Sequence, residues 1–138
     1  MGFDVDVIRD PKLMALLLAY ERMLGCVDLL INDLTSLKKE VVNGKLDFNY
    51  VYITARRDGL TAQQAVDSVI ALIRNELHPK FLQMRAELLT HKEIPGFDKY
   101  VNAIHEVYET YHTFLNYKQD YSARYTNLNQ DNYEKENN

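Results

Sequence analysis

From Pro11 to about Val42, apolar residues recur every three or four positions without interruption, and no segment of the chain alternates with period two. That spacing admits an all-α fold and argues against a sheet. At 138 residues the chain has the size of one domain. A chain of this length can bury about two-thirds of its unfolded surface, so a packed core is available. The content of 46% hydrophobic and 26% charged residues, with five Gly and three Pro, excludes collagen-like and low-complexity classes. A single cysteine, Cys26, excludes a disulfide framework and a cysteine-built zinc site. The formal net charge of −4 and the lack of a basic face argue against a nucleic-acid partner. The N-terminus lacks a signal-peptide pattern, and no apolar run reaches the ~18 residues needed for a membrane span. The expectation is a cytoplasmic protein.

Local signals divide the chain into helices. Asp10 and Pro11 supply an N-cap and a first position, and Asn43-Gly44 a stop. A second helix is predicted over roughly Leu46 to Arg57, ending at Asp58-Gly59. Thr61 followed by Gln64 reads as a capping box that opens a third helix, carrying Ala65, Val69, Leu72, Ile73, Leu77, Phe81 and Leu88. Pro79 predicts a kink within it. Ile94-Pro95-Gly96 is a turn, and the last helix runs from about Asp98 to Tyr117. Residues 126–138 are almost all polar and read as a disordered tail beyond one domain over 1–125.

Two faces of the first helix carry information. Tyr20, Met23, Val27, Leu30, Leu34, Leu37 and Val41 form a stripe about 100° wide, the width of a core face. Opposite it, Asn32, Ser36 and Glu40 fall within an arc of about 80°, because residues four apart nearly superimpose. The same face continues toward the N-terminus as Leu29, Gly25 and Leu18, apolar or small where an outer face should be charged. This predicts a second buried side, the wall of an apolar cavity with a polar mouth. An amide oxygen, a hydroxyl and a carboxylate are hard ligands suited to Mg²⁺, with Mn²⁺ as an alternative. One carboxylate with two neutral groups leaves coordination positions for water and phosphate oxygens, and Lys39 adds a point charge beside Glu40. The competing reading of these residues is a solvated face with an i,i+4 hydrogen bond.

The nonamer Asn32-Asp33-Leu34-Thr35-Ser36-Leu37-Lys38-Lys39-Glu40 resembles the NDxxSxxKE form of the second metal motif of class I terpene synthases. Arg124-Tyr125 is similar to the Arg-Tyr pair that closes the last helix of that family. Gly2-Phe3, Val7-Ile8, Pro11 and Leu13 are similar to the segment that enters this helix in microbial members. The resemblance covers roughly residues 2 to 125 and implies part of the terpene synthase helical bundle. It further implies Asn32, Ser36 and Glu40 as Mg²⁺ ligands, with Lys39, Arg124 and Tyr125 contacting the diphosphate of an isoprenyl diphosphate substrate. The reaction implied is ionisation and cyclisation of a substrate such as farnesyl diphosphate to a terpene, with release of diphosphate.

The family's aspartate-rich first motif is missing: Asp4-Val5-Asp6 has the wrong spacing and precedes the first helix. Arg9 and Arg22 do not match the placement of the family's diphosphate-sensing Arg, and the late Trp is absent. The resemblance is therefore to a truncated, C-terminal part of a synthase, inactive alone. Aromatic rings could stabilise a carbocation, but Tyr100, Tyr108 and Tyr111 share the last helix with Ile104, Val107 and Phe114, and each reads first as core.

Two rival readings remain. A di-iron bundle needs two Glu-x-x-His elements, and only Glu109 to His112 fits; Glu87 and His91 are four apart. His105-Glu106 has Glu109 where a zincin needs His, and the histidines read as surface or helix-end residues. The second rival is a non-catalytic interaction module or pseudoenzyme, self-associating through an apolar Leu18–Gly25–Leu29 face left open by an incomplete cavity.

Overall fold

The computed structural model describes residues 2–44 and 47–117, and for 38, 41–43 and 114–117 the backbone alone. Among them there is no strand. A short 3₁₀ turn, Val5–Val7, precedes five α-helices: α1 (Pro11–Asn43), α2 (Tyr50–Asp58), α3 (Ala62–Leu72), α4 (His78–Leu88) and α5 (Phe97–Tyr117). The tail over 126–138 lies outside the described residues.

The caps act where local chemistry places them. Asp10 accepts from the Lys12 amide at 2.9 Å and opens α1. Gly44 closes it in the left-handed region, at φ 65°. Thr61 and Gln64 form the reciprocal capping box of α3. One boundary differs from the sequence reading: α2 begins at Tyr50, not near Leu46. Asn49 sets this start because its side chain accepts from the Val51 amide, and a capping residue is itself extended.

Pro79 produces a wider irregularity than a kink. Residues Ile73–Leu77 form a π turn that joins α3 to α4 end to end. Proline has no amide to donate back along the helix, and its ring crowds the carbonyl four residues earlier. Opening the preceding turn relieves that clash while the axis continues.

The core lies on one side of α1, which packs against α2, α4 and α5. Leu13, Leu17, Tyr20, Val27, Leu30, Ile31, Leu34 and Leu37 are buried. The predicted stripe is therefore the core face, with Met23 half-buried at its edge and the Val41 side chain outside the description. Tyr20 of α1 stacks on Phe81 of α4 at 4.4 Å, and Phe81 on Tyr108 of α5 at 3.6 Å. The Tyr20 hydroxyl donates to the Val101 carbonyl at 3.1 Å, which removes the penalty of burying it. Burial pushes both phenols, Tyr20 and Tyr108, well above their ordinary ionisation range. Tyr108 is thus a core residue, as preferred from sequence, while Tyr100 and Tyr111 sit at the core edge.

The N-terminal segment is held by Phe3, whose ring lies 5.6 Å from Phe97 and 5.3 Å from Tyr100. The Tyr100 hydroxyl donates to Glu21, so α5 and α1 are joined by a polar contact as well. That bond, with some burial, raises the Tyr100 phenol to about 12.

Removing the middle ring of the stack leaves a cavity between three helices. Phe81→Ala is expected to cost about 3–5 kcal/mol in urea denaturation, and Phe81→Leu clearly less, because it refills most of the volume.

Candidate metal centre

The nonamer occupies the C-terminal third of α1, and its side chains divide by function. Leu34 and Leu37 point into the core. Thr35 bonds back to the Asn32 carbonyl at 2.9 Å and is structural. Asn32 and Lys39 are exposed, whereas Ser36 and Glu40 are half-buried. The Ser36 hydroxyl donates to Glu40 Oε1 at 2.8 Å.

Glu40 is fixed by a residue outside the motif. Asn49, only 1% exposed, donates one amide hydrogen to Glu40 Oε2 and the other to the Asp33 carbonyl, both at 2.9 Å. Its side-chain oxygen caps α2 through the Val51 amide. All the hydrogen-bonding groups of this buried amide are engaged, as burial requires. Asp33 completes the junction by accepting from the Tyr50 amide at 2.9 Å, at the positive end of α2. Burial raises the Asp33 carboxyl above its ordinary value; the Tyr50 amide pulls it back and nearby Glu40 adds to the rise. The end of α1 is therefore locked to the start of α2 by Asp33, Glu40 and Asn49 acting together.

The donor set fits a hard divalent cation. Adjacent oxygens in an octahedral Mg²⁺ shell, with bonds near 2.0–2.1 Å, lie about 2.9 Å apart. The Ser36–Glu40 separation of 2.8 Å is close to that edge. Ser36 uses its proton for Glu40, which leaves its oxygen lone pairs for a cation. Asn32 lies one helical turn before Ser36 on the same face, with its side chain in solvent. Among the described residues no three His, Cys, Asp or Glu side chains converge as a metal cluster, so a cation held here would need neutral ligands and further groups to complete its shell.

The structure corrects one expectation about this face. Leu29 is 65% and Leu18 42% exposed, and a Cβ built on Gly25 would meet nothing within 4 Å. The second side of α1 is open to solvent, not buried. None of the described elements covers it: α2, α4 and α5 all pack on the core face. Arg124 and Tyr125 lie outside the described residues.

The comparisons agree with the motif. The family model described as terpene synthase family 2, C-terminal metal binding, matches residues 5–78, more than half of the chain. The chain belongs to that family. The matched segment runs from the N-terminal 3₁₀ turn through the whole nonamer to the first residue of α4. No curated protein and no solved structure matches it.

Sequence reasoning missed Asn49 and Asp33. Asn49 stands immediately before a helix start, which is a signal for a cap, but its second partner, Glu40, is set by the approach of α2 to α1. Asn49→Ala removes the cap and two donors, one of them to a carboxylate. It is expected to cost about 2–3 kcal/mol in chemical denaturation. Ser36→Ala, which removes only a half-exposed bond, is expected to cost about 1 kcal/mol or less.

Proposed function

We propose that this chain is the C-terminal metal-binding portion of a class I terpene synthase, and that it is inactive alone. The observation that carries this reading is the Ser36–Glu40 pair at 2.8 Å, braced by Asn49 and in line with Asn32 on an open face of α1. Asn32, Ser36 and Glu40 would hold Mg²⁺. Once bound with an isoprenyl diphosphate, the ion would act as a Lewis acid on the leaving diphosphate. Lys39, exposed beside Glu40, would meet the diphosphate as a point charge, joined by Arg124 and Tyr125.

Inactivity follows from what this chain's residues can supply. One carboxylate and two neutral oxygens hold Mg²⁺ weakly unless phosphate oxygens and water complete the shell. An allylic cation formed over the exposed Leu18–Leu29 face would meet water before it could cyclise. A cytoplasmic location accords with the single free thiol of Cys26. No helix among the described residues is long and apolar enough to cross a membrane.

Incubation with geranyl, farnesyl and geranylgeranyl diphosphates in Mg²⁺, read by gas chromatography, is expected to give no terpene. A Mg²⁺-dependent product that disappears in Asn32→Ala would overturn the inactivity and support the ligand assignment. Calorimetry with Mg²⁺ and inorganic diphosphate together should show saturable binding that Glu40→Ala abolishes. No such binding in the wild type would count against the metal centre itself.

The exposure of Leu18 and Leu29 also supports a second reading, a non-catalytic module that self-associates through this face. Sedimentation is expected to show a concentration-dependent dimer that Leu29→Glu returns to monomer. A wild-type monomer at every concentration would dismiss that reading.

A further inference from the structure

The metal centre makes no use of the imidazoles gathered where the π turn, α4 and α5 meet. His78 opens α4 and His112 lies near the end of α5. Their rings stack at 3.9 Å, within 14° of parallel. The hydroxyl of fully buried Tyr108 lies 2.9 Å from His78 Nδ1, and the Tyr108 ring continues the stack toward Phe81. His112 Nε2 is buried without a hydrogen-bond partner. His78 stands at a helix end, one of the two placings its sequence context suggests, but both rings are half-buried and stacked on each other.

The polar contacts of the stack suit neutral rings. Tyr108 keeps its proton, since burial raises its phenol, and its hydroxyl lies 2.9 Å from His78 Nδ1, which accepts that proton in the tautomer protonated at Nε2. A protonated His78 carries N–H on both nitrogens and offers no acceptor, so the buried hydroxyl would lose the partner for its own proton. A proton on His112 would occupy a buried nitrogen with nothing to receive it, in a ring lying face to face with its neighbour.

The surrounding charges do not reverse this. Arg74, from the π turn, opposes a positive charge on His112. Glu109 favours one, but its Oε1 lies 3.2 Å from His105 Nε2. Among the other charged groups of the packed elements, Glu21 of α1 accepts from Tyr100, and Arg85 of α4 donates to Asn102. The stack of parallel planes also argues against a shared metal ion, because a ligating imidazole holds its ion in the plane of the ring.

We propose that the His78–His112 stack is a proton-operated clamp, in which neutral imidazoles hold the C-terminal half of α5 against α4 and their protonation releases it. The electrostatics support the geometry: burial, then His78, and more weakly Arg74 lower His112 below its ordinary value, with Glu109 partly offsetting them. In the window below the ordinary histidine value of about 6.5, the unfolded chain then binds more protons than the folded one. The clamp's stability is complete above that value and is lost as pH falls through the depressed one.

Two measurements on the full chain test this. An NMR titration of the wild-type protein should show the His112 imidazole protonating below the ordinary range. Amide hydrogen exchange at about pH 7.5 and pH 5.5, values that bracket the reference for histidine, should show loss of protection in acid over 104–113 but not in α1 or α3. His112→Gln, which stays neutral, should abolish that acid-dependent loss. A His112 imidazole titrating at the ordinary value, or α5 protection that is the same at both pH values, would overturn the proposal. The wild-type titration decides the matter even if the variant fails to fold.

Discussion

The stack of Tyr20 on Phe81 on Tyr108 is the contact on which the rest of the structure depends. It joins the three longest helical stretches through ring faces 3.6–4.4 Å apart and sets the rotation of α1 about its own axis. Helical periodicity then leaves no freedom. With Tyr20, Val27, Leu34 and Leu37 inward, Leu18, Gly25, Leu29 and Asn32 must face out. The position of the metal motif on an open surface is therefore a consequence of core packing more than fifteen ångströms away along the helix.

The motif residues are held from outside the motif. Ser36 and Glu40 can form their bond from helical spacing alone, but a glutamate near a helix end has rotamers to spare. Asn49 removes that freedom by donating to Glu40 and to the Asp33 carbonyl while capping α2. One buried amide thus orients the Glu40 carboxylate, closes a connection and starts the next helix. Such outer partners commonly matter to metal sites nearly as much as the ligands themselves.

Much of the fold was legible because its determinants are local. Asp10-Pro11, the Thr61–Gln64 capping box and the turn at Gly96 each act within a few residues, and each is found where its residues stand. The start of α2 was less legible because Leu46 fits helical spacing as well as Val51 does, and only the cap at Asn49 chooses between them. The nonamer was legible as a pattern of ligand types and as a family resemblance, and the family match bears out the resemblance. The second face of α1 was read as buried because its residues are apolar; apolarity records what a surface suits, not what is present to cover it.

The sequence by itself determined the all-α class, the N-caps of α1 and α3, the core stripe of α1 and the placing of Asn32, Ser36 and Glu40 on one helical face. These rest on periodicity and on hydrogen bonds between near neighbours. Only the tertiary structure decided that this face is open, that Asn49 braces Glu40, and that His78 and His112 meet across α4 and α5. Those facts join residues 9 to 34 positions apart, or depend on which faces the described helices pack against, and neither is written in any local pattern.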